Sequence, residues 1–98
     1  MVRRVVPQPF PEDPVVGSIA DFGAAVRAAR TSCGLTLEQA AMTIGVAKQT
    51  LQDLERGTAS VRLELALRIA RELGVAVFAT PATEREQAAR LLRSLRAS

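Results

Sequence analysis

Four glycines divide the middle of this 98-residue chain into short segments, and their spacing limits what the chain can fold into. Each of them follows a stretch in which apolar residues recur at three- and four-residue intervals, the period of an amphipathic helix. Glycine is also the usual residue just beyond a helix C-terminus. With Gly34, Gly45, Gly57 and Gly74 as the ends, the pattern predicts helices over about residues 18–33, 37–44, 48–55 and 63–73.

Two of these helices begin at recognisable capping residues. Ser18 can cap the first helix, with Asp21 three positions later. Thr36 and Gln39 form a capping box at the start of the second helix, because each side chain can bond the backbone N–H of the other. Gly45 lies in the turn between the second and third helices, where we expect a positive φ that glycine adopts without steric cost.

The two ends of the chain differ from this helical middle. Four prolines within residues 7–14 forbid a helix there, so residues 1–17 are expected to form a flexible, Pro-rich arm. At the other end, Thr83 and Glu86 form a second possible capping box, which predicts a helix over 83–97. Its apolar stripe could pack on the domain or contact another protein, and it consists of Ala88, Leu91, Leu92 and Leu95.

Between the helices and this C-terminal helix the period changes. Residues 75–80 are rich in Val and Phe and lie between Gly74 and Pro81, which is typical of a short strand. A lone strand leaves its backbone groups unpaired. We therefore expect it to pair with the same strand of a second copy, through Ala76, Val77, Phe78, Ala79 and Thr80.

The composition argues against catalysis. The chain has no histidine and one cysteine, Cys33, so His-dependent acid–base chemistry, a zinc site and an intrachain disulfide are all excluded. Its glycines do not follow a phosphate-loop pattern. We expect a protein that is not an enzyme and needs no metal or cofactor. No stretch approaches the roughly 20 apolar residues of a membrane span, so a cytoplasmic location is expected.

Residues 37–54 meet the demands of two short helices joined by a tight turn. Ala40 and Ala41 are small where the helices would touch, and the apolar anchors are Ile44, Val46, Leu51 and Leu54. The polar residues of the third helix then share one face, which is either a solvated surface or a face that contacts base edges in DNA. The candidate base-reading residues are Ala47, Lys48, Gln49, Gln52 and Asp53.

Phosphate contacts would come from residues around this hairpin. The net charge of +3 favours polyanions only weakly, so the position of each residue matters more than the total. The candidates are Arg27, Thr36, Thr50, Arg56 and Arg62. A further possibility is that the arm before Ser18 reaches a DNA groove, or adds a strand to a partner.

From Ser18 to Val75 the chain resembles the Cro/C1-type (XRE) helix-turn-helix domain. The residues that carry the resemblance are Arg30, Gly34-Leu35-Thr36, Ala40-Ala41, Ile44-Gly45-Val46, Thr50-Leu51, Leu54-Glu55-Arg56-Gly57 and Leu73-Gly74-Val75. It implies an all-α, five-helix domain whose third helix enters the major groove of double-stranded DNA. A structural ion pair between Arg30 and Glu55 is also implied. The C-terminal strand and helix would be additions to this domain.

The sequence departs from the family at two positions. Leu37 replaces the Gln that usually begins the second helix and touches phosphate. Asp53 places a negative charge where a polar or basic residue is common, which would weaken binding by a single domain. Dimerisation would compensate by linking two weak sites. The function expected from the resemblance is a repressor that binds a palindromic operator as a homodimer.

A second, shorter resemblance covers residues 72–80. A helix, Leu73-Gly74 and a short apolar strand are similar to HipB-like antitoxins, in which the strand pairs across the dimer. This resemblance implies an alternative function, in which the chain binds and neutralises a partner toxin kinase as well as the operator. The arm and the C-terminal helix would be the free surfaces for such a partner.

Overall fold

The computed structural model describes residues 4–97, and their regular structure is helical. Residues 1–3 of the expected arm and Ser98 lie outside the described residues. A short 3₁₀ turn, Ala82–Glu84, precedes the last helix. The helices are α1 (Ile19–Ser32), α2 (Leu37–Ile44), α3 (Lys48–Arg56), α4 (Leu63–Glu72) and α5 (Arg85–Ala97).

The helices begin and end where their local sequence directs them. The Asp21 N–H donates to Ser18 Oγ at 3.1 Å, which caps α1. The expected capping box of α2 is present, with the Gln39 N–H donating to Thr36 Oγ1 and the Thr36 N–H donating to Gln39 Oε1. Gly45 ends α2 in the left-handed conformation, with φ at 85°. These local signals therefore set the bounds of α1 and α2.

The core lies where α1, α2, α3 and α4 meet. Val26, Leu51 and Ile69 are its largest fully buried side chains. Full burial of each such side chain stabilises the fold by about 1.5–3 kcal/mol. Alanines fill most of the remaining core positions, so the neighbouring helices are separated by little side-chain volume. These alanines are Ala29, Ala40, Ala41, Ala66 and Ala70.

α1 and α3 approach closely at one glycine. A Cβ atom built on Gly23 would lie 2.2 Å from the Leu54 carbonyl oxygen and 2.6 Å from that of Glu55. Neither atom can move without displacing the α3 backbone. The absence of a side chain at Gly23 therefore fixes the distance between the two helices.

A buried ion pair joins the same two helices near their C-terminal ends. Arg30 Nε donates to Glu55 Oε2 at 2.6 Å, and Arg30 Nη2 donates to Glu55 Oε1 at 2.9 Å. Arg30 Nη1 also donates to the Leu35 carbonyl at 2.7 Å. The structure thus brings Arg30 and Glu55 together in the bidentate arrangement that guanidinium and carboxylate favour.

The strand expected over residues 76–80 is wrong for this chain. These residues have no regular secondary structure, and no strand occurs anywhere in residues 4–97. A strand needs a neighbour to take its backbone N–H and C=O groups, and the described chain supplies none. The segment remains exposed at the surface, with Phe78 72% exposed, and leads to α5.

The start of the C-terminal helix also differs from the expectation. Thr83 lies inside the 3₁₀ turn instead of at a helix N-cap, and Thr80 Oγ1 makes a side-chain hydrogen bond to Glu84 Oε1 at 2.8 Å. The described residues reach five α-helices only when α5 is counted. The C-terminal helix expected over 83–97 is thus present as α5, and its α-helical part begins at Arg85.

The arm runs back along α1. The Gln8 N–H donates to Thr31 Oγ1 near the end of α1, at 2.8 Å. The Gly17 N–H donates to Asp21 Oδ2 near its start, at 3.1 Å. Arg96 in α5 donates to the Pro11 carbonyl at 2.7 Å, so the arm lies between α1 and α5. Among residues 4–97, none of the helices combines the length and the apolar character needed to cross a bilayer.

Candidate nucleic-acid interface

α2 and α3 form a compact pair of helices joined by the turn at Gly45. The facing residues Ala40, Ala41, Leu51 and Leu54 are all buried, so the two helices share one apolar contact surface. Val46 in the turn is half-buried against the core. Gly45 and Val46 interrupt the helical backbone, so α2 and α3 are two distinct helices. The side of α3 that faces away from the core is left towards solvent.

The outer face of α3 consists of the polar residues that do not contact the core. Ala47, Lys48, Gln49 and Arg56 are exposed, and Gln52 and Asp53 are half-buried. Four of the five candidate base-reading residues thus lie on one side of α3, and the fifth, Ala47, is its N-cap residue. An α-helix presented in this way fits the B-DNA major groove, which is about 12 Å wide.

Three polar pairs organise this face. Lys48 Nζ lies 2.7 Å from Glu38 Oε1 in α2, with both side chains about half exposed. Gln49 Nε2 donates to Asp53 Oδ1 at 2.8 Å. Gln52 pairs with Arg56, whose Nη1 and Nη2 lie 3.1 and 2.8 Å from the amide oxygen once the amide is assigned so that its oxygen faces these donors. The side chains of the outer face are therefore held by their neighbours.

Glu38 in α2 borders this face, and sequence reasoning missed it. Its pairing with Lys48 crosses from one helix to the next, and no spacing along a single helix reveals such a contact. The Gln49–Asp53 and Gln52–Arg56 pairs are different. Both have the i,i+4 spacing that brings side chains together on a helix, so the sequence did contain their signal.

The candidate phosphate contacts come from four helices. Arg27 in α1, Arg56 in α3 and Arg62 at the start of α4 are exposed, while Thr36 and Thr50 are half-buried. The Thr36 hydroxyl already accepts the capping bond of α2. A hydroxyl that accepts one bond still has a proton to donate, so the cap does not prevent a phosphate contact.

Arg68 in α4 contacts the C-terminus of α2, a role that the sequence did not predict. Its Nη2 donates to the Ile44 carbonyl at the C-terminus of α2, and its Nε lies 3.4 Å from Glu72 Oε2. A guanidinium at this position satisfies a carbonyl that α2 leaves unpaired and suits the negative end of the helix dipole. Arg68 thereby ties the turn at Gly45 to α4.

Across residues 4–97, no group of three or more Cys, Asp or Glu side chains lies in a position to hold a metal ion. What the face offers is hydrogen-bond donors and acceptors on a helix. That chemistry suits recognition of a polar surface such as a base edge.

Comparison with known protein families agrees with this geometry. Residues 26–78, more than half of the 98, match the model of the helix-turn-helix family. The chain belongs to the Cro/C1-type helix-turn-helix family. The matched region of this helix-turn-helix protein includes all of α2, α3 and α4, and it leaves α5, the whole arm and the first part of α1 outside.

A related protein covers a similar part of the chain. The chain is 49% identical over 49 residues to a protein from Methanothermobacter thermautotrophicus named as an uncharacterized HTH-type transcriptional regulator. The matched region is 50% of this helix-turn-helix chain and 71% of the relative. The likeness is therefore to most of the relative and to half of this chain.

Proposed function

We propose that this helix-turn-helix protein is a transcriptional repressor that binds a palindromic operator as a homodimer, with α3 of each copy in the major groove. The observation that carries the proposal is the outer face of α3, a set of polar side chains presented by a packed helix pair in a member of this family. Such a protein acts by binding DNA and not by catalysis.

Two kinds of contact would hold the DNA. Lys48, Gln49, Gln52 and Asp53 would meet base edges, with Ala47 at the N-terminal end of the same face making apolar contact. Contacts to phosphate position a protein on the duplex without reading its sequence. These would come from Arg27, Thr36, Thr50, Arg56 and Arg62.

Exposed apolar side chains support the homodimer. Leu63 in α4, Phe78 before α5, and Leu91 and Leu95 on α5 are each about 70% exposed. Exposed apolar patches commonly mark surfaces that another protein covers. A second copy would bury them and would set two α3 helices about 34 Å apart, one turn of DNA.

The two parts of the proposal have separate tests. Protection of a palindrome with half-sites one helical turn apart is expected for the wild-type protein, with loss of protection in a Lys48→Ala/Gln49→Ala double variant. Glu86→Ala on α5 is the matched control and should protect normally. Equal protection by the double variant would defeat the assignment of α3. Sedimentation should show a dimer that Phe78→Asp shifts towards monomer.

An antitoxin role is the second candidate, because a groove that includes part of the same apolar surface also fits a protein partner. The arm, α4, residues 75–80 and α5 enclose a mostly apolar groove of about 740 Å³, lined by side chains such as Phe10, Leu67 and Leu92. The resemblance of residues 72–80 to antitoxins depended on a strand that is not formed. The groove is therefore the main support for an antitoxin role. Co-expression with the product of the adjacent gene should give a stable complex. Isolation of the homodimer alone would count against this role.

A further inference from the structure

The two glutamines on the outer face of α3 are held in opposite orientations. A glutamine amide has a donor end, Nε2, and an acceptor end, Oε1, and a free amide can present either of them. The end that each glutamine presents is therefore set by what holds the other end. In both cases the holding residue lies four positions later in α3.

Asp53 holds the donor end of Gln49. An ionised carboxylate can only accept hydrogen bonds, and Asp53 Oδ1 accepts from Gln49 Nε2 at 2.8 Å. The reverse orientation would place the amide oxygen against the carboxylate oxygen, which is repulsive. Gln49 Oε1 is therefore directed away from Asp53, and the free lone pairs of Asp53 lie beside the pair as further acceptors.

Arg56 holds the acceptor end of Gln52. Arg56 Nη1 and Nη2 lie 3.1 and 2.8 Å from one end of the Gln52 amide. We assign that end as the oxygen, because a guanidinium can only donate and the other assignment would leave donors facing donors. Gln52 Nε2 is therefore directed away from Arg56 as a donor.

We propose, on the basis of the function proposed above, that these partners determine which class of base each glutamine reads. Adenine and cytosine present an exocyclic amine in the major groove, whereas guanine and thymine present a carbonyl oxygen. Asp53 makes Gln49 an acceptor that selects an amino base, adenine or cytosine. Arg56 makes Gln52 a donor that selects a keto base, guanine or thymine.

The same hydrogen-bonding chemistry predicts which bases are disfavoured opposite Gln49. A guanine or thymine opposite Gln49 would set its carbonyl oxygen against Gln49 Oε1 and the Asp53 carboxylate. An adenine still fits, because Gln49 Nε2 carries a second proton that can reach its N7 acceptor. Asp53 and Arg56 are thus positioning residues that act through the glutamines, in addition to any contact of their own.

Selection of bound duplexes from a randomised pool, with the full-length protein, tests the proposal. The wild-type protein should select adenine or cytosine at one position of each half-site and guanine or thymine at another. In Asp53→Asn the new amide can donate to Gln49 Oε1, which frees Nε2 to face the DNA. The preference at the first position should then fall by about fivefold or more, or reverse, because a single base contact discriminates by at least that factor.

Two further variants separate this effect from a change in charge or folding. Glu86→Gln removes the same charge from α5 and should leave every base preference unchanged. Arg56→Ala should relax only the keto-base preference, together with a uniform loss of affinity from its phosphate contact. The helical circular dichroism signal shows which variants are folded. If Asp53→Asn does not fold, the position-specific effect of Arg56→Ala decides the outcome.

The failure of this inference differs from the failure of the proposed function. Unchanged preferences in folded variants that still bind specifically would overturn the inference and leave the operator-binding function in place. A change at all positions alike would overturn it as well. A wild-type protein that selects no sequence would overturn the proposed function itself.

Discussion

Arg30 in the last turn of α1 and Glu55 near the end of α3 share two hydrogen bonds of 2.6 and 2.9 Å, with 8% and 6% of their side chains exposed. The guanidinium also holds the Leu35 carbonyl in the loop before α2. One buried charge pair therefore links α1, the start of the helix pair and the end of its second helix.

Glu55→Ala should destabilise the fold severely. Removing one partner leaves the Arg30 charge buried without its counter-ion, which costs about 3–5 kcal/mol. Small domains have a total stability of about 5–15 kcal/mol, so much of it would be lost. Urea unfolding followed by circular dichroism measures the change. Glu72→Ala, which breaks the exposed pair with Arg68, should cost less than about 1 kcal/mol. Equal losses in the two variants would contradict this interpretation.

Gly23→Ala should also destabilise, although alanine is normally the better helix former. The added Cβ would lie 2.2 Å from the Leu54 carbonyl oxygen, and forced displacement of packed helices typically costs about 1–3 kcal/mol. Gly17→Ala is the control, because its Cβ would meet only Asp21 Oδ2 at 3.5 Å. That change should be neutral or stabilise by up to about 1 kcal/mol. Thermal unfolding of both variants compares them directly, and a Gly23→Ala protein as stable as the wild type would refute the close approach.

Glu38→Gln should tighten DNA binding. It removes a negative charge beside the proposed interface and releases Lys48 from a pair with an N–O distance of 2.7 Å. Exposed pairs of this kind are worth up to about 1 kcal/mol, so affinity should rise by as much as about fivefold. Titration of operator DNA at fixed salt measures this, and Glu86→Gln provides the same change in charge on α5. Weaker binding by Glu38→Gln would show that Glu38 supports the interface.

Thr31→Val should loosen the arm without unfolding the helices. The substitution keeps the shape of the side chain and removes the oxygen that accepts the Gln8 N–H. Loss of one such bond, worth about 0.5–1.5 kcal/mol, should speed amide exchange at Gln8 by up to about tenfold. Thr43→Val is the control, because its hydroxyl bonds only the Gln39 carbonyl within α2. Unchanged exchange at Gln8 would mean that other contacts hold the arm.

The helices of the central domain could be predicted from the sequence because their signals are local. Ser18, Thr36 and Gly45 act within a few residues of the helix ends that they define. The buried alanines of α2 could be identified in the same way, since their small size has meaning only at a helix contact. Local chemistry and the tertiary structure agree in this part of the chain.

The residues that were missed act across larger distances. Arg68 reaches the Ile44 carbonyl from another helix, and Glu38 reaches Lys48 across the turn. Neither side chain differs from an ordinary surface charge until the helices are placed in space. A prediction from spacing along the chain cannot include such contacts.

The strand was mispredicted for a related reason. Residues 75–80 have the apolar, β-branched composition of a strand, but composition does not provide a neighbour for the backbone. Where no strand lies alongside, the same residues remain irregular chain. The sequence pattern identified an apolar segment but could not show whether its backbone has a hydrogen-bonding neighbour.

The contact at Gly23 has a consequence for how such a protein can acquire new targets. Because α3 rests on α1 through main-chain atoms, its angle does not depend on the side chains that point outward. Those side chains can therefore be substituted without changing the orientation of α3. The DNA sequence that the domain recognises can thus change, by evolution or by design, through substitutions on the outer face of α3 alone.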